Sequence, residues 1–148
     1  MNNQIIIKVR GVLKDEGKIL FCYNKKQDFY FLPGGTLENK ENARKCLQRE
    51  FQEECRLDVT VGKFLGCLEF HWQEDKNQYQ ELDLIFEVDS PNKAIPTNIQ
   101  SVEPHISFKF LTLPALLAGK VKVLPALVLE FLHENSTPGY LFENQIFN

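Results

Sequence analysis

The sequence predicts a layered domain of the α/β or α+β class. Two observations support this fold class: several segments are apolar or alternate over the length of a strand, and two or three others have helical character. The chain has 148 residues, enough for one domain with a hydrophobic core and too few for two domains of ordinary size. We therefore expect a single domain over residues 1–148.

The first part of the chain predicts three strands followed by a helix. Residues 4–13 alternate between apolar and polar side chains, and a glycine-containing turn leads into a returning strand at residues 18–23. A short apolar strand at residues 29–32 is stopped by the Pro-Gly-Gly sequence of residues 33–35. Residues 39–55 contain no Pro or Gly and few β-branched residues, so they predict a helix.

The later part of the chain predicts further strands, two short helices and two loops. Residues 73–78 are polar and suit a hairpin loop, and residues 89–104, with three prolines, predict a long surface loop of the kind that often carries function. The tail from Ser136 onward is too apolar for a free tail. Strands are expected at residues 59–70, 81–88 and 107–111, and helices that begin with Pro at residues 114–118 and 125–133.

Composition and charge exclude several classes of protein. A net charge of −3 argues against binding nucleic acid through a broad basic face. No apolar run reaches the roughly 18 residues of a membrane span, and the first residues do not resemble a secretory signal. The four cysteines form no Cys-x-x-Cys pair, so we expect reduced core thiols and a cytoplasmic protein.

The predicted helix carries carboxylates on its apolar side. On a helical wheel, Cys46, Leu47 and Phe51 define the apolar arc. Glu50 and Glu54 fall in the middle of that arc, and Glu53 lies at its edge. Because a buried carboxylate without a partner costs several kcal/mol, these groups must be paired or must bind a cation. The alternative is a solvated acidic face at the end of a helix.

Hard oxygen ligands gathered in this way suit magnesium or manganese. The two glycines upstream of the helix, Gly34 and Gly35, permit a close approach of the backbone to a ligand. Such a loop either offers a backbone carbonyl to the same metal ion or is an ordinary turn. The sequence therefore predicts a metal site between this loop and the helix.

The segment from Gly35 to Leu57 resembles the Nudix box, G-x5-E-x7-R-E-U-x-E-E-x-G-U, in which U is a bulky apolar residue. One position departs, because Arg56 stands where the family has glycine. The positions that match at the family's spacing are Gly35, Glu41, Arg49, Glu50, Phe51, Glu53, Glu54 and Leu57.

The resemblance implies a Nudix-type α/β/α sandwich around a mixed, curved β-sheet, and a magnesium-dependent hydrolase in which manganese is a possible replacement. It implies that Glu50 and Glu54 are the principal metal ligands and that Glu53 assists. Arg49 would orient Glu50, and Glu41 would brace Arg49. The backbone carbonyl of Gly34 or Gly35 would complete the coordination.

Two groups are candidates for the general base that takes a proton from water. One is Glu53, within the box. The other is Glu103, which precedes an aromatic-bearing strand in a position where the resemblance implies a metal ligand or a base. The alternative for Glu103 is an ordinary solvent-exposed loop acid.

The substrate-binding residues are predicted less sharply. Arg10, Lys8 and Lys25 are candidates to contact phosphate, although solvated surface positions are the usual role of such side chains. The aromatic candidates for stacking on a base are Phe29, Phe70, Trp72 and Tyr79. Glu81 and Asp83 point to one face of their strand, where they either read base or ribose edges or form a wet outer face. Gly34 is expected to let the backbone approach the substrate.

The sequence favours hydrolysis of a pyrophosphate bond in a nucleoside-diphosphate-linked substrate, with a nucleoside triphosphate as first choice. ADP-ribose, nucleotide sugars and dinucleoside polyphosphates remain alternatives, although the proline found beyond the box in relatives that act on ADP-ribose is missing before Pro91. A nucleotide-binding module without activity, and a structural protein with an acidic helix, are the rival classes. The expected partner is a small nucleotide, with no nucleic acid and no membrane, and the expected state is a monomer or homodimer.

Overall fold

A computed structural model describes residues 3–91, 95–96 and 98–144. The strands are β1 Asn3–Asp15, β2 Lys18–Asn24, β3 Phe29–Phe31, β4 Gly34–Thr36, β5 Thr60–Glu74, β6 Asn77–Asp89, β7 Ile106–Thr112 and β8 Tyr140–Glu143. The helices are α1 Ala43–Cys55, α2 Leu113–Leu117 and a 3-10 helix, Ala126–Phe131.

The described strands form one mixed sheet. Its central order is β3-β2-β1-β6-β5-β8, while β4 pairs with β1 and β7 pairs with β2. The pairs β1·β6 and β5·β8 are parallel, and the other pairs are antiparallel. Register shifts in β5 between Val61 and Gly66 mark bulges, which bend and twist a sheet. The predicted mixed, curved sheet is confirmed.

Helices cover both faces of the sheet. On one face, the buried side of α1 packs through Leu47 and Phe51 against Val9 and Leu13 of β1. On the other face, α2 and the 3-10 helix pack against strand residues such as Leu68 and Ile85. Because an apolar sheet face must be covered by another layer, this arrangement gives the α/β/α sandwich of the predicted fold class.

Several predicted elements differ from the observed ones. The hairpin predicted at residues 73–78 is present, but its connection is only the turn at Asp75 and Lys76, because β5 and β6 extend to either side of it. The helix predicted at residues 125–133 is a shorter 3-10 helix, Ala126–Phe131, with Pro125 just before its start. The expected surface loop at residues 89–104 is only partly a surface feature, because Ile99 packs into the core beneath it. The prediction about the tail holds for Tyr140–Glu143, which form β8; Ile146 and Phe147 lie outside the described residues.

Two signals bound helix α1. Asn42 caps its start, where the side-chain oxygen accepts a hydrogen bond from the Lys45 N–H at 2.9 Å. Arg56 ends it in the left-handed conformation, with φ 54° and ψ 35°. The Arg56 N–H donates to the Gln52 carbonyl at 3.1 Å, closing the last turn. The position that departs from the Nudix box thus has the backbone conformation that favours glycine.

We expect Arg56→Gly to stabilise the protein by about 1 kcal/mol, because glycine adopts this left-handed conformation without a steric penalty from Cβ. Urea unfolding followed by circular dichroism measures the change. Arg56→Ala is the matched control, since it removes the guanidinium but keeps Cβ, and it should give no gain. An equal gain from Arg56→Ala would show that the side chain, and not the backbone conformation, is responsible.

Candidate active site

The carboxylate of Glu50 lies against the backbone of strand β4. Its side chain is 11% exposed, and a Cβ atom placed on Gly35 would collide with its carboxylate carbon and both oxygens. The Gly35 carbonyl faces the same helix, with Cys46 Sγ at 3.9 Å. Helix α1 therefore directs Glu50 inward, to the gap that only a glycine leaves open.

Arg49 fixes the orientation of this carboxylate. Its Nη1 donates to Glu50 Oε1 at 2.9 Å and to Glu53 Oε2 at 3.2 Å, and its Nη2 donates to the Thr36 carbonyl at 3.2 Å. Both oxygens of Glu41 accept hydrogen bonds from the guanidinium, at 3.1 Å from Nε and 2.7 Å from Nη2. Bidentate pairs of this kind hold planar geometry well. The structure thus connects Glu41, Arg49 and Glu50 in one chain.

The pKa of Glu41 shows how strongly it is held. Hydrogen bonds from Arg49, followed by one from the backbone N–H of Glu38, lower the pKa of Glu41 to about 2. The carboxylate therefore stays ionised at any pH at which the protein is expected to work.

Glu54 lies one turn further along α1 and lacks such a cation. Burial, the charge of Glu50 and, more weakly, those of Glu103 and Glu53 raise the pKa of Glu54 to about 7, while Arg10 opposes the shift. Carboxylates gathered with too few cations leave an excess of negative charge, which a bound cation would balance. Glu50, Glu54 and Glu103 all line one cavity.

The two candidate bases occupy different surroundings. Glu103 lines the cavity, is half exposed, and has Oε2 3.3 Å from His105 Nε2. Glu53 is 59% exposed and contacts Arg49. Glu53 is not one of the described residues that line the cavity. Of the two candidate bases, Glu103 is therefore the one that lies at the cavity.

The donors present suit a magnesium ion. Glu50 and Glu54 present hard oxygen donors from one helix, and the crowding at Gly35 leaves the Glu50 carboxylate fixed at the cavity. Within the described ranges, no group of three or more His, Cys, Asp or Glu side chains is arranged to hold a metal ion. Magnesium fits this arrangement, since it commonly binds one or two carboxylates and completes its shell with waters and substrate phosphates.

The cavity has a volume of about 900 Å³, within the range of ligand pockets. Its floor is a charged patch on strands β1 and β6. The side chain of Arg10 is 11% exposed, with Nε 3.4 Å from Asp83 Oδ2, Nη2 3.5 Å from Glu81 Oε1, and Nη1 donating to the Leu32 carbonyl at 3.2 Å. Lys8 Nζ lies 3.6 Å from Glu81 Oε1.

Two interpretations of this patch are corrected. Arg10 is not a solvated surface cation, because paired carboxylates surround it. Glu81 and Asp83 do not form a wet outer face, since they are 2% and 3% exposed. The parallel register places Lys8 opposite Asp83, so charges that look isolated along the chain become partners across the sheet.

The pKa of Asp83 is raised, because burial and the neighbouring Glu81 outweigh the attraction of Arg10. Its Oδ1 is buried without a hydrogen-bond partner. A carboxyl group whose pKa is raised on folding binds more protons in the folded state than in the unfolded state. It therefore contributes stability at low pH that is lost as the pH rises through its folded pKa.

We expect Asp83→Asn to remove the loss of stability that the ionisation of Asp83 causes as the pH rises. Relative to the wild type, the free energy of unfolding of the variant should rise as the pH increases from 4 toward neutrality, because the amide keeps the shape and has no charge to desolvate. Chemical unfolding at a series of pH values measures the difference between the two proteins. Asp89→Asn, at an exposed position on the same strand, should give a much smaller change, and a flat difference for Asp83→Asn would contradict the assignment.

The aromatic candidates fall into two groups. Phe29 and Trp72 line the cavity. Phe29 lies 5.7 Å from Phe31, between ring centroids, and Arg10 lies over the ring of Phe31 at 5.7 Å. Tyr79 stacks on Trp72 and is absent from the described residues that form the cavity wall. Phe70 also lines the cavity, although it is a core residue.

The sequence did not single out several residues of the cavity wall. They share no motif and come from separate parts of the chain: Asn24, Gln27, Phe31 and Lys122. Gly34 also lines the cavity, and its φ of 148° is one that residues with a side chain avoid. Only the fold brings these residues together.

The chain matches a known protein family and is similar to several solved structures. A model of the NUDIX domain matches residues 5–130. No curated protein sequence matches the chain significantly. Among solved structures, the chain is similar to a MutT protein from Methanosarcina mazei Go1, with 19% identity, a TM-score of 0.68, and coverage of 88% of this chain and 92% of that chain.

Two further solved structures have the same fold. An ADP-ribose pyrophosphatase from Streptococcus suis 89-1591 is 16% identical, with a TM-score of 0.61 and coverage of 92% of this chain and 98% of that chain. A UDP-X diphosphatase is 17% identical, with a TM-score of 0.63 and coverage of 92% of this chain and 67% of that chain. At these identities the likeness establishes the fold alone.

The family match defines a class of enzyme, the pyrophosphohydrolases, which cut phosphate anhydride bonds. The chain belongs to the Nudix family. Small nucleotides are the substrates of that family, and divalent cations are its usual cofactors. Within the described parts of the chain, no helix combines the length and the apolarity that a membrane crossing requires.

Proposed function

We propose that the protein hydrolyses a pyrophosphate bond in a nucleoside-diphosphate-linked substrate and requires magnesium, with a nucleoside triphosphate as the preferred substrate. The observation that carries the proposal is the Glu50 carboxylate held against Gly35 by Arg49, beside a second inward acid, Glu54. This arrangement concentrates negative charge at a cavity, where a bound cation would stabilise it.

In this proposal, Glu50, Glu54 and the Gly35 carbonyl bind the ion, and Glu53 assists through water. When bound, magnesium activates a water molecule and neutralises charge on the phosphate oxygens. Arg49 keeps the Glu50 carboxylate in one orientation, so that binding requires little reorganisation.

Glu103 is the group that we propose takes the proton from the attacking water. It lines the same cavity as Glu50 and Glu54 and is half exposed, so a water molecule can reach it. A carboxylate within hydrogen-bond reach of the nucleophile is sufficient for this role. Glu53 is the alternative base, and its pairing with Arg49 makes it less available.

The remaining cavity binds the rest of the substrate. Arg10 and Gly34 line the cavity and are the proposed phosphate contacts. The charge of Arg10 acts on Glu54, where it opposes the rise in the pKa of that carboxyl group. Phe29 and Trp72 line the cavity elsewhere and are the proposed nucleoside contacts. Glu81, which also lines the cavity, and Tyr79 support the ring of Trp72. A single domain over residues 1–148 and a monomeric or homodimeric protein in the cytoplasm complete the proposal.

The test is a substrate panel with the phosphate products identified. It comprises nucleoside triphosphates, ADP-ribose, nucleotide sugars and dinucleoside polyphosphates, each assayed with magnesium and with manganese. We expect a nucleoside triphosphate to be cut fastest, giving a nucleoside monophosphate and pyrophosphate. Chelator should abolish turnover, and excess magnesium should restore it.

Two outcomes would contradict the proposal. Turnover that persists in chelator after removal of bound metal would contradict the metal site. No turnover of any substrate, together with nucleotide binding detected by calorimetry, would instead identify a binding module that does not catalyse hydrolysis.

A further inference from the structure

Trp72 is the only tryptophan in the sequence, and two contacts fix its indole ring at the cavity. Its Nε1 donates to Glu81 Oε2 at 2.8 Å. The ring stacks on Tyr79, with centroids 4.0 Å apart and planes inclined by 15°. Because the ring is held both at its edge and by stacking, its orientation is set before a ligand binds.

The oxygens of Glu81 are already engaged within the protein. Oε2 accepts from Trp72, and Oε1 faces Lys8 at 3.6 Å and Arg10 at 3.5 Å. The residue is 2% exposed. A carboxylate placed in this way has little capacity to bind a ligand directly, and its shortest contact is with the indole.

The indole and the Glu50 carboxylate line the same cavity but belong to different layers of the fold, since Trp72 packs with one core cluster and helix α1 with the other. Glu50 packs on Gly35. Gly35 pairs with Val9 of β1, whose side chain points to the face that α1 covers. Arg10, the next residue of β1, points to the other face, toward Glu81. The cavity reaches both sites, so one ligand with a charged end and a flat apolar end can occupy both.

We propose that Glu81 is a positioning residue, which holds Trp72 as the stacking surface for the nucleobase of the substrate. The inference rests on the proposed function, because it requires a nucleotide in this cavity. Stacking on an indole accepts any base. It acts far from the bond that is cut, so it contributes to binding rather than to the chemical step.

The first test uses tryptophan fluorescence, which reports on Trp72 alone. AMP and ribose 5-phosphate carry the same phosphate, and neither has a pyrophosphate bond to hydrolyse, so the result does not depend on turnover. We expect AMP to quench the fluorescence at saturation and ribose 5-phosphate to leave it nearly unchanged. Equal responses, or none to AMP at concentrations that calorimetry shows to be saturating, would overturn the stacking assignment.

The second test separates positioning from a direct role. Glu81→Leu and Trp72→Phe should each raise KM about tenfold and change kcat little. Their effects should not add when they are combined, because both act through the same ring. Glu81→Gln, which keeps an oxygen to accept from the indole, should recover part of the loss, while Glu87→Gln, at an exposed position of β6, should leave KM unchanged.

Additive effects in the double variant would show that Glu81 contacts the substrate itself and would overturn its role as a positioning residue. A fall in kcat at constant KM would do the same. Circular dichroism confirms that each variant is folded. If Glu81→Leu does not fold, Glu81→Gln and Trp72→Phe supply the same comparison of KM with kcat.

Discussion

Glu50→Gln should reduce kcat at least about 100-fold, because the amide carries no charge to bind a divalent cation and gives a much weaker ligand. The effect on folding should be small. Gln has the same shape as Glu and can still fit against Gly35, and the Arg49 guanidinium retains both of its contacts with Glu41.

Two measurements test this prediction. Steady-state kinetics give kcat, and electron paramagnetic resonance detects the binding of Mn²⁺ directly. Both kcat and Mn²⁺ affinity should fall in Glu50→Gln, while the melting temperature stays close to that of the wild type. Glu87→Gln is the control for loss of one carboxylate at an exposed position. Near-normal turnover of Glu50→Gln would remove the residue from the metal site.

The sequence could predict the position of Glu50 because a helix has a fixed period. Cys46, Leu47 and Phe51 mark the buried side of α1, and Glu50, which lies between Cys46 and Leu47 on the wheel, must face the same side. The buried position of Leu47 and Phe51 shows that this local argument was sufficient. The left-handed conformation of Arg56 is local in the same way, because it follows from where a helix ends.

The charged floor of the cavity could not be predicted in this manner. Arg10 and Glu81 are far apart along the chain, and they meet only because β1 and β6 pair in parallel with a particular register. Alternation along one strand shows which residues share a face, but it does not show which residues of a neighbouring strand will lie beside them on that face. An alternating pattern of acids therefore remained consistent with a wet surface until the neighbouring strand was known.

Strand β4 illustrates a different limit. A Pro-Gly-Gly sequence usually indicates a turn, yet Gly34 and Gly35 pair with Arg10 and Val9 as a short strand. The glycines are required by contacts across the sheet and with α1, and these contacts lie outside any local window of sequence.

Those contacts predict opposite results for alanine at the two neighbouring glycines. In Gly34→Ala, the new Cβ would collide with the backbone carbonyl of Val9, and the φ of residue 34 is 148°. The atoms that collide belong to paired strands, so neither can move away easily. We expect loss of several kcal/mol of stability or failure to fold. In Gly35→Ala, the new Cβ meets only the end of the Glu50 side chain, which can rotate away.

Gly35→Ala should therefore stay folded and lose most of its activity, since the displaced carboxylate no longer lies where Arg49 orients it. A displacement of about 1 Å at a catalytic group can cost about 100-fold in rate. Melting temperature and kcat, measured for both variants, distinguish the two effects. If Gly35→Ala kept full activity with a normal melting temperature, the fixed position of Glu50 would be irrelevant to catalysis, and the metal site would have to be sought at Glu54 and Glu103.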